Sequence, residues 1–335
     1  MSDATPTPLE RVVAQLRRSR KILMGTHASP DGDALGSELA LARFLKGLGK
    51  EVRILNTGGL ARRLAWLPAP GEVEDYAPAR HDAAIAEADA IVVVDIGNWE
   101  RLETMVAPVM KSRAVRIDLD HHPVENCPAD LSVNDPSAPA VGMIVYRLIR
   151  ALGGRLTRET AEPIYVSLLT DTGSFKYSNT GPDTHRLAAE CLALGVEPYT
   201  VYTRLYECMS PARLRLLGTA LARVEVDRAV AWTVLPHGLY AATGAREDDS
   251  EGIVEQVRAL EGVETALVFK EAEPGVVKVS LRSKSRADVN AVARRFGGGG
   301  HARAAGLTMR ASLEKAVAEV LAAAREETAR AGAMG

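Results

Sequence analysis

Residues 90–95, Ala-Ile-Val-Val-Val-Asp, place five apolar side chains in a row and close on an acid. A strand with one wet face alternates apolar and polar residues, so a short unbroken run of this kind is covered on both faces, as in the interior of a parallel sheet. The runs at 21–26 (KILMGT), 51–56 (EVRILN) and 114–120 (AVRIDLD) read as companion strands. Residues 34–49 between them have helical spacing and end on Gly49, and 101–110 make a weaker helix. The expectation is an α/β fold whose N-terminal part is a doubly wound, mainly parallel sheet. Sheets of this class bind ligands beyond the carboxyl ends of their strands, which is where His27, Asp95 and Asp120 fall.

A chain of 335 residues exceeds what one core usually serves, so a second domain is expected. From about 140 to 222 the pattern is mostly helical (141–154, 158–173, 183–195, 210–224). β-like runs return at 224–235, 264–273 and 275–284, interleaved with helical stretches at 250–262 and 287–298 and a last helix near Leu313–Arg330. The organisation expected is a domain over 1–205, a helical connector over 206–222 and a smaller α/β domain over 223–335. A net charge of −2 provides no field to draw in long duplex nucleic acid, so an anionic substrate needs a dedicated site. Three cysteines without a CxxC pair suggest neither a disulfide framework nor a zinc ribbon. With no export signal at the N-terminus and no membrane-spanning apolar run, a cytoplasmic chain is expected, away from membranes.

Four groups of metal-ligand residue types follow apolar segments: His27, Asp31 and Asp33 in "HASPDGDALGS", Asp95 in "VVVD", Asp120, His121 and His122 in "DHHP", and Asp171 in "TDTGSF". Asp and Gly are ordinary turn residues, so any one group alone is a solvated loop; recurrence is what carries information. If Asp31, Asp33, Asp95 and Asp171 converge, their repulsion calls for cations, and two divalent ions balance the four charges. Imidazole with carboxylate and no thiolate favours Mn²⁺ over Mg²⁺. Two such ions can activate water and steady both the entering and leaving oxygens of a phosphoryl displacement.

These four motifs, in this order and at these spacings, resemble those of the DHH phosphoesterase superfamily. The stretch "VSLRSKSRADVNAVARRFGGGGHARAAG" resembles the DHH-associated C-terminal domain, and the length and domain pairing are most similar to the bacterial nanoRNase group. The resemblance implies that His27, Asp31 and Asp95 hold one ion, and that Asp33, Asp95, His121 and Asp171 hold the other. It places His122 toward the scissile phosphate, Asp120 behind the histidine pair, and the active-site cleft between the two domains. Asp118 lies on the same side of its strand as Asp120, and a plain structural role is expected for it.

Within "FGGGGHARAAG" a bare glycine run reads as a hinge, yet His301 and Arg303 add donors to backbone amides able to approach a phosphate. The resemblance assigns this domain the far end of a nucleotide, so Arg282, Ser283, Gly299, Gly300 and His301 are expected to bind substrate. The implied activity is hydrolysis of short RNA oligonucleotides to mononucleotides, with removal of a phosphate from 3'-phosphoadenosine 5'-phosphate (pAp) as a second reaction. A homodimer is compatible with this reading. The rivals are a phosphodiesterase for linear or cyclic dinucleotides and, in another class, a nucleotide sensor without catalysis. A pyrophosphatase of the superfamily lacks the glycine-rich tail, and RecJ-like exonucleases usually carry further domains. His81, His185 and His237 read as surface or core residues, Arg62 and Arg63 as a solvated pair, and residues 247–249 as an acidic helix start. For Lys176 and Tyr177 an ordinary loop weighs equally with contact to a phosphate or a base.

Overall fold

The computed structural model describes residues 6–123 and 126–333; the first five residues, part of the stretch read for an export signal, lie outside it. The chain divides after Cys208 into two compact units, each built on a six-stranded sheet.

The first sheet consists of β1 (Lys21–Gly25), β2 (Glu51–Asn56), β3 (Val73–Asp75), β4 (Ala90–Val94), β5 (Val115–Asp120) and β6 (Leu131–Asn134). Their order is β3-β2-β1-β4-β5-β6, every neighbouring pair parallel. All five residues of β4 are buried, as the unbroken apolar run requires. Ile22, Met24, Val92, Val94, Ile117 and Leu119 share one core face with helices Gly32–Gly47, Val141–Ala151 and Arg158–Asp171. Leu23, Ile91 and Val93 point the other way, against Ile85 of helix Pro78–Glu87 and Trp99, Leu102 and Val109. Strand order reverses between β1 and β4, and that reversal opens the crevice in which doubly wound sheets place their ligands.

Helix Gly32–Gly47 lies close against Arg158–Asp171. A Cβ at Gly36 would stand 2.4 Å from the Pro163 carbonyl oxygen, so only glycine permits this approach. Pro163 has no N–H for the Glu159 carbonyl one turn earlier; Arg43 Nη1 donates to that oxygen instead, at 2.8 Å. Strands β3 and β6 and helix Pro8–Arg18 were not expected from the sequence. The helix has a Thr7–Glu10 capping box and Pro8 at its first position, a start signal that hydrophobic periodicity alone passes over.

The second sheet consists of β7 (Glu225–Asp227), β8 (Val230–Leu235), β9 (Thr265–Glu273), β10 (Val276–Ser283), β11 (Gly299–His301) and β12 (Ala304–Arg310). It runs β11-β12-β10-β9-β8-β7 and is antiparallel except for the parallel pair β8 and β9. Helices Val289–Arg294 and Leu313–Ala333 cover one face through Val289, Val292, Val320 and Ala324. Helices Pro211–Leu221 and Ile253–Arg258 cover part of the other through Leu216, Ala220, Val254 and Val257. Half of the glycine run is neither hinge nor open loop, because Gly299 and Gly300 lie in edge strand β11. Cβ atoms at Gly298 and Gly300 would meet the backbone of Gly306 and Ala304 at 2.3 and 2.5 Å, so the hairpin needs glycine at both. Among the described residues no helix is long and apolar enough to cross a membrane.

Candidate metal centre

His27 follows β1 and Asp95 follows β4, on the two sides of the strand-order reversal. Thr26 Oγ1 donates to the Val94 carbonyl at 2.7 Å and ties these two strand ends together. His27 is buried, with Nδ1 3.0 Å from the Ala28 carbonyl oxygen; that partner assigns the ring hydrogen to Nδ1 and leaves Nε2 as the available donor atom. Burial lowers its pKa and keeps the ring neutral, the form that ligates a metal. Asp31 caps helix Gly32–Gly47 by accepting the amides of Asp33 and Ala34 at one carboxylate oxygen, Oδ1.

Asp33 is the most firmly held acid of the group. Ser167 Oγ at 2.6 Å, Ser37 Oγ at 3.2 Å and the Gly142 amide at 3.2 Å donate to Oδ1, and the Val141 amide donates to Oδ2 at 2.8 Å. The last two are amides at the start of helix Val141–Ala151, where a negative charge is favoured. Asp171 has the opposite placement, in the last turn of its helix, where carbonyl dipoles disfavour a carboxylate. Burial and the nearby Asp33 push its pKa to about 8.

Asp95 adopts a left-handed backbone, φ 55°, a conformation that costs a non-glycine residue free energy and tends to mark functional positions. Its side chain is buried, and Oδ1 has no hydrogen-bond partner while lying 3.3 Å from His122 Nδ1 and 3.6 Å from His121 Nε2. Burial first, then Asp33, Asp31 and Asp171, raise its pKa well above the usual carboxylate range. His121 gives Nδ1 to the Ala138 carbonyl at 3.0 Å and turns Nε2 to Asp33, Asp95 and Asp171, 3.6 to 3.8 Å from an oxygen of each. Three groups of donor atoms therefore lie mutually within 4.8 Å: His27, Asp31 and Asp95; Asp33, His121 and Asp171; and Asp95, His121 and His122. Buried acids that raise one another's pKa, one with an orphaned oxygen, and imidazoles presenting bare nitrogens have the chemistry of a hard-cation site. Asp95 and His121 each belong to two of the groups.

Asp120 faces the other way. Oδ2 accepts the Ile96 and Gly97 amides at 3.1 and 2.5 Å, and Oδ1 accepts the His121 and His122 amides at 2.7 and 2.9 Å and His122 Nδ1 at 2.8 Å. Burial alone would raise its pKa, but the bonds from His122 and from these amides outweigh it and hold the group at about 2. Asp120 thus assigns the ring hydrogen of His122 to Nδ1. Asp118 lies on the same side and accepts from Trp99 Nε1 and Ser132 Oγ, a structural role as expected.

The model of the "DHH family, N-terminal domain" matches residues 21–170 and that of the "DHHA1 domain" matches 235–330. The bifunctional oligoribonuclease and PAP phosphatase NrnA of Thermus thermophilus is 36% identical, over 96% of this chain and 95% of its own. The chain belongs to the DHH family. Its Bacillus subtilis relative of the same description is 28% identical, over 86% of this chain and 89% of its own. An exopolyphosphatase-related protein from Bacteroides fragilis superposes with a TM-score of 0.90 at 28% identity, covering 97% of this DHH chain and 98% of its own.

In the second unit Arg282 on β10 and His301 on β11 both pair with Ala304 on β12, which sets them on one face of the sheet, one strand apart. Arg282 Nε donates to Glu255 Oε1 at 2.9 Å. Ser283 is buried, and its hydroxyl donates to the Ala287 carbonyl at 2.7 Å, tying β10 to the loop that follows it. Gly299 and Gly300 bring the β11 backbone against β12, on the opposite side of that strand from Arg282 on β10. Sequence reasoning did not find the supports of the first site, Ser37, Ser167 and the Ala138 carbonyl. No motif marks them; Ser37 and Ser167 are legible only as small polar residues on otherwise apolar helix faces, one turn from Asp33 and Asp171.

Proposed function

We propose that this DHH-family chain is a metal-dependent phosphoesterase that hydrolyses short RNA oligonucleotides to nucleoside monophosphates and dephosphorylates pAp to AMP, acting in the cytoplasm. The observation that carries the reading is the convergence of six ligand-type side chains, His27, Asp31, Asp33, Asp95, His121 and Asp171, at the reversal of strand order. The relatives described as oligoribonuclease and PAP phosphatase, aligned over nearly the whole chain, support the substrate class.

On this reading His27, Asp31 and Asp95 hold one divalent ion and Asp33, Asp95, His121 and Asp171 the other, with Mn²⁺ favoured by the mixture of imidazole and carboxylate. When bound, two such ions supply Lewis acidity toward the phosphate oxygens and lower the pKa of water. The chain's own contribution is arrangement. The hydrogen bonds on Asp33 and the carbonyl partners of His27 and His121 set donor atoms in place before any ion arrives, which removes reorganisation from the reaction. Asp120 holds the ring hydrogen of His122 at Nδ1, and His122 faces the scissile phosphate, where it stabilises the developing charge or protonates the leaving oxygen. Residues 1–205 carry the reaction and 223–335 bind the nucleotide. Arg282 with its planar fork and His301 take its phosphate, the backbone at Gly299 and Gly300 gives close approach, and Ser283 keeps that strand end in place.

A panel of diribonucleotide, longer RNA, pAp, cyclic dinucleotide and pyrophosphate, assayed with Mn²⁺, Mg²⁺ and EDTA, tests the proposal. Metal-dependent turnover of diribonucleotide and pAp is expected. Turnover of pyrophosphate alone, or binding of nucleotide without turnover in Mn²⁺, overturns it.

A further inference from the structure

Helix Pro198–Tyr206 already has a core face, formed by Val201 and Leu205. Its outward face nevertheless carries Tyr199, Tyr202 and Tyr206, at spacings of three and four that make one stripe. Tyr202 and Tyr206 are 42% and 38% exposed, with ring centroids 4.9 Å apart. The stripe continues toward the candidate metal centre. The Tyr206 phenol lies near Ser174, Arg63 and Tyr177. Tyr177 itself, 39% exposed, has its ring so close over Gly173 that a Cβ there would lie 2.3 Å from a ring atom. Gly173 is two residues beyond Asp171.

The segment that brings Tyr177 here is strained. Gly173, Ser174 and Phe175 take φ of 55°, 62° and 63° in succession, two of them non-glycine residues in the left-handed region. Phe175 anchors the turn inward against Tyr165 and His185, and the Thr172 carbonyl accepts the amides of Lys176 and Tyr177. The turn therefore holds the half-exposed Tyr177 ring over Gly173, close to Asp171 in the chain. Arg204 stacks over Trp66 on the other side of the helix, and the charge that borders the aromatic line is Arg63, close to the Tyr206 phenol. Exposed aromatic rings spaced along a basic border are the means by which single strands are held without reading their sequence: each base offers a face to stack, and the cations follow the phosphates.

We propose that Tyr177, Tyr206 and Tyr202, bordered by Arg63, form a ledge on which the bases of a single-stranded oligoribonucleotide stack as it leaves the reaction centre. The inference rests on the function proposed above and adds to it a cause for chain-length preference, since pAp has one base and cannot span the ledge.

The test uses the full chain with Tyr202→Ser and Tyr206→Ser combined, and with Tyr202→Phe and Tyr206→Phe combined. The ratio of kcat/KM on a pentaribonucleotide to that on pAp is expected to fall roughly five- to a hundredfold in the serine pair and to stay near wild type in the phenylalanine pair, which keeps the rings. Equal losses on both substrates, or none, overturn the ledge. A change in sedimentation behaviour with the ratio unaltered also overturns it, in favour of a protein partner on this face. Binding of a labelled pentaribonucleotide in EDTA, followed by anisotropy, reads the same loss without turnover. Weaker binding by the serine pair supports the ledge even if the wild type hydrolyses neither substrate, a result that would sink the proposed activity alone.

Discussion

Replacing Asp120 by Asn tests the arrangement of the site more sharply than removing a ligand. The carboxylate accepts five hydrogen bonds, and all the donors are fixed by the chain: four amides and His122 Nδ1. A carboxyl held at about 2 in place of the ordinary 3.8 corresponds to about 2.5 kcal/mol in favour of the folded state at neutral pH. The sign follows from the depressed value. The unfolded chain takes up the proton first as pH falls, so this stability is complete well above pH 3.8 and is lost as pH drops through about 2; roughly half is gone by pH 3. The amide of Asn also turns a donor toward either two or three of these donors, and unpaired buried donors add about 1–3 kcal/mol each. Allowing for overlap between the two effects, Asp120→Asn should destabilise the first unit by about 3–5 kcal/mol at pH 7. Urea unfolding followed by tryptophan fluorescence in a Trp232→Phe background isolates that unit, because Trp66 and Trp99 both belong to it. The gap between wild type and variant should narrow toward pH 3. Activity should fall roughly ten- to a hundredfold through loss of the His122 tautomer. A variant as stable as wild type at pH 7, with kcat/KM intact, refutes the role given to Asp120.

Asp95→Asn should abolish turnover yet raise the melting temperature in EDTA, because it removes an acid whose ionisation burial and the neighbouring carboxylates oppose; Mn²⁺ should stabilise the wild type and not the variant, read by differential scanning fluorimetry. Glu38 is wholly buried, accepts from Asn56 Nδ2 at 2.8 Å, and is pushed by burial to about 8. The folded state then keeps a proton that the unfolded chain loses above about 4.5, so stability declines as pH rises from 4.5 to 8, by on the order of 4 kcal/mol. Glu38→Gln should flatten that decline in urea unfolding from pH 5 to 9; an unchanged slope assigns the proton elsewhere. Gly36→Ala sets a methyl group 2.4 Å from the Pro163 carbonyl oxygen and should cost about 1–3 kcal/mol, with a matching drop in urea midpoint.

Much of the site was legible in the chain because its residues end apolar segments whose periodicity is local. The run at 90–94 specified a strand covered on both faces, and Asp95 could only follow at its carboxyl end. Short strands β3 and β6 escaped because three or four half-buried residues carry too little pattern. The strand within the glycine run escaped because a glycine's reason lies in what approaches it, and for Gly298 and Gly300 that is the backbone of β12.

The order of residues determined the two cores, the strand ends and the inventory of acids and imidazoles, since these follow from periodicity and chemical type. Only the tertiary structure decided their division of labour. Asp33, Asp95, Asp120 and Asp171 are the same side chain in four surroundings: one held by two helix-start amides and two serines, one bare and strained, one saturated by five donors, one at the unfavourable end of a helix. A carboxylate's charge, proton and reach are set by which donors and which other charges lie within a few ångströms, and those arrive from segments far apart along the chain.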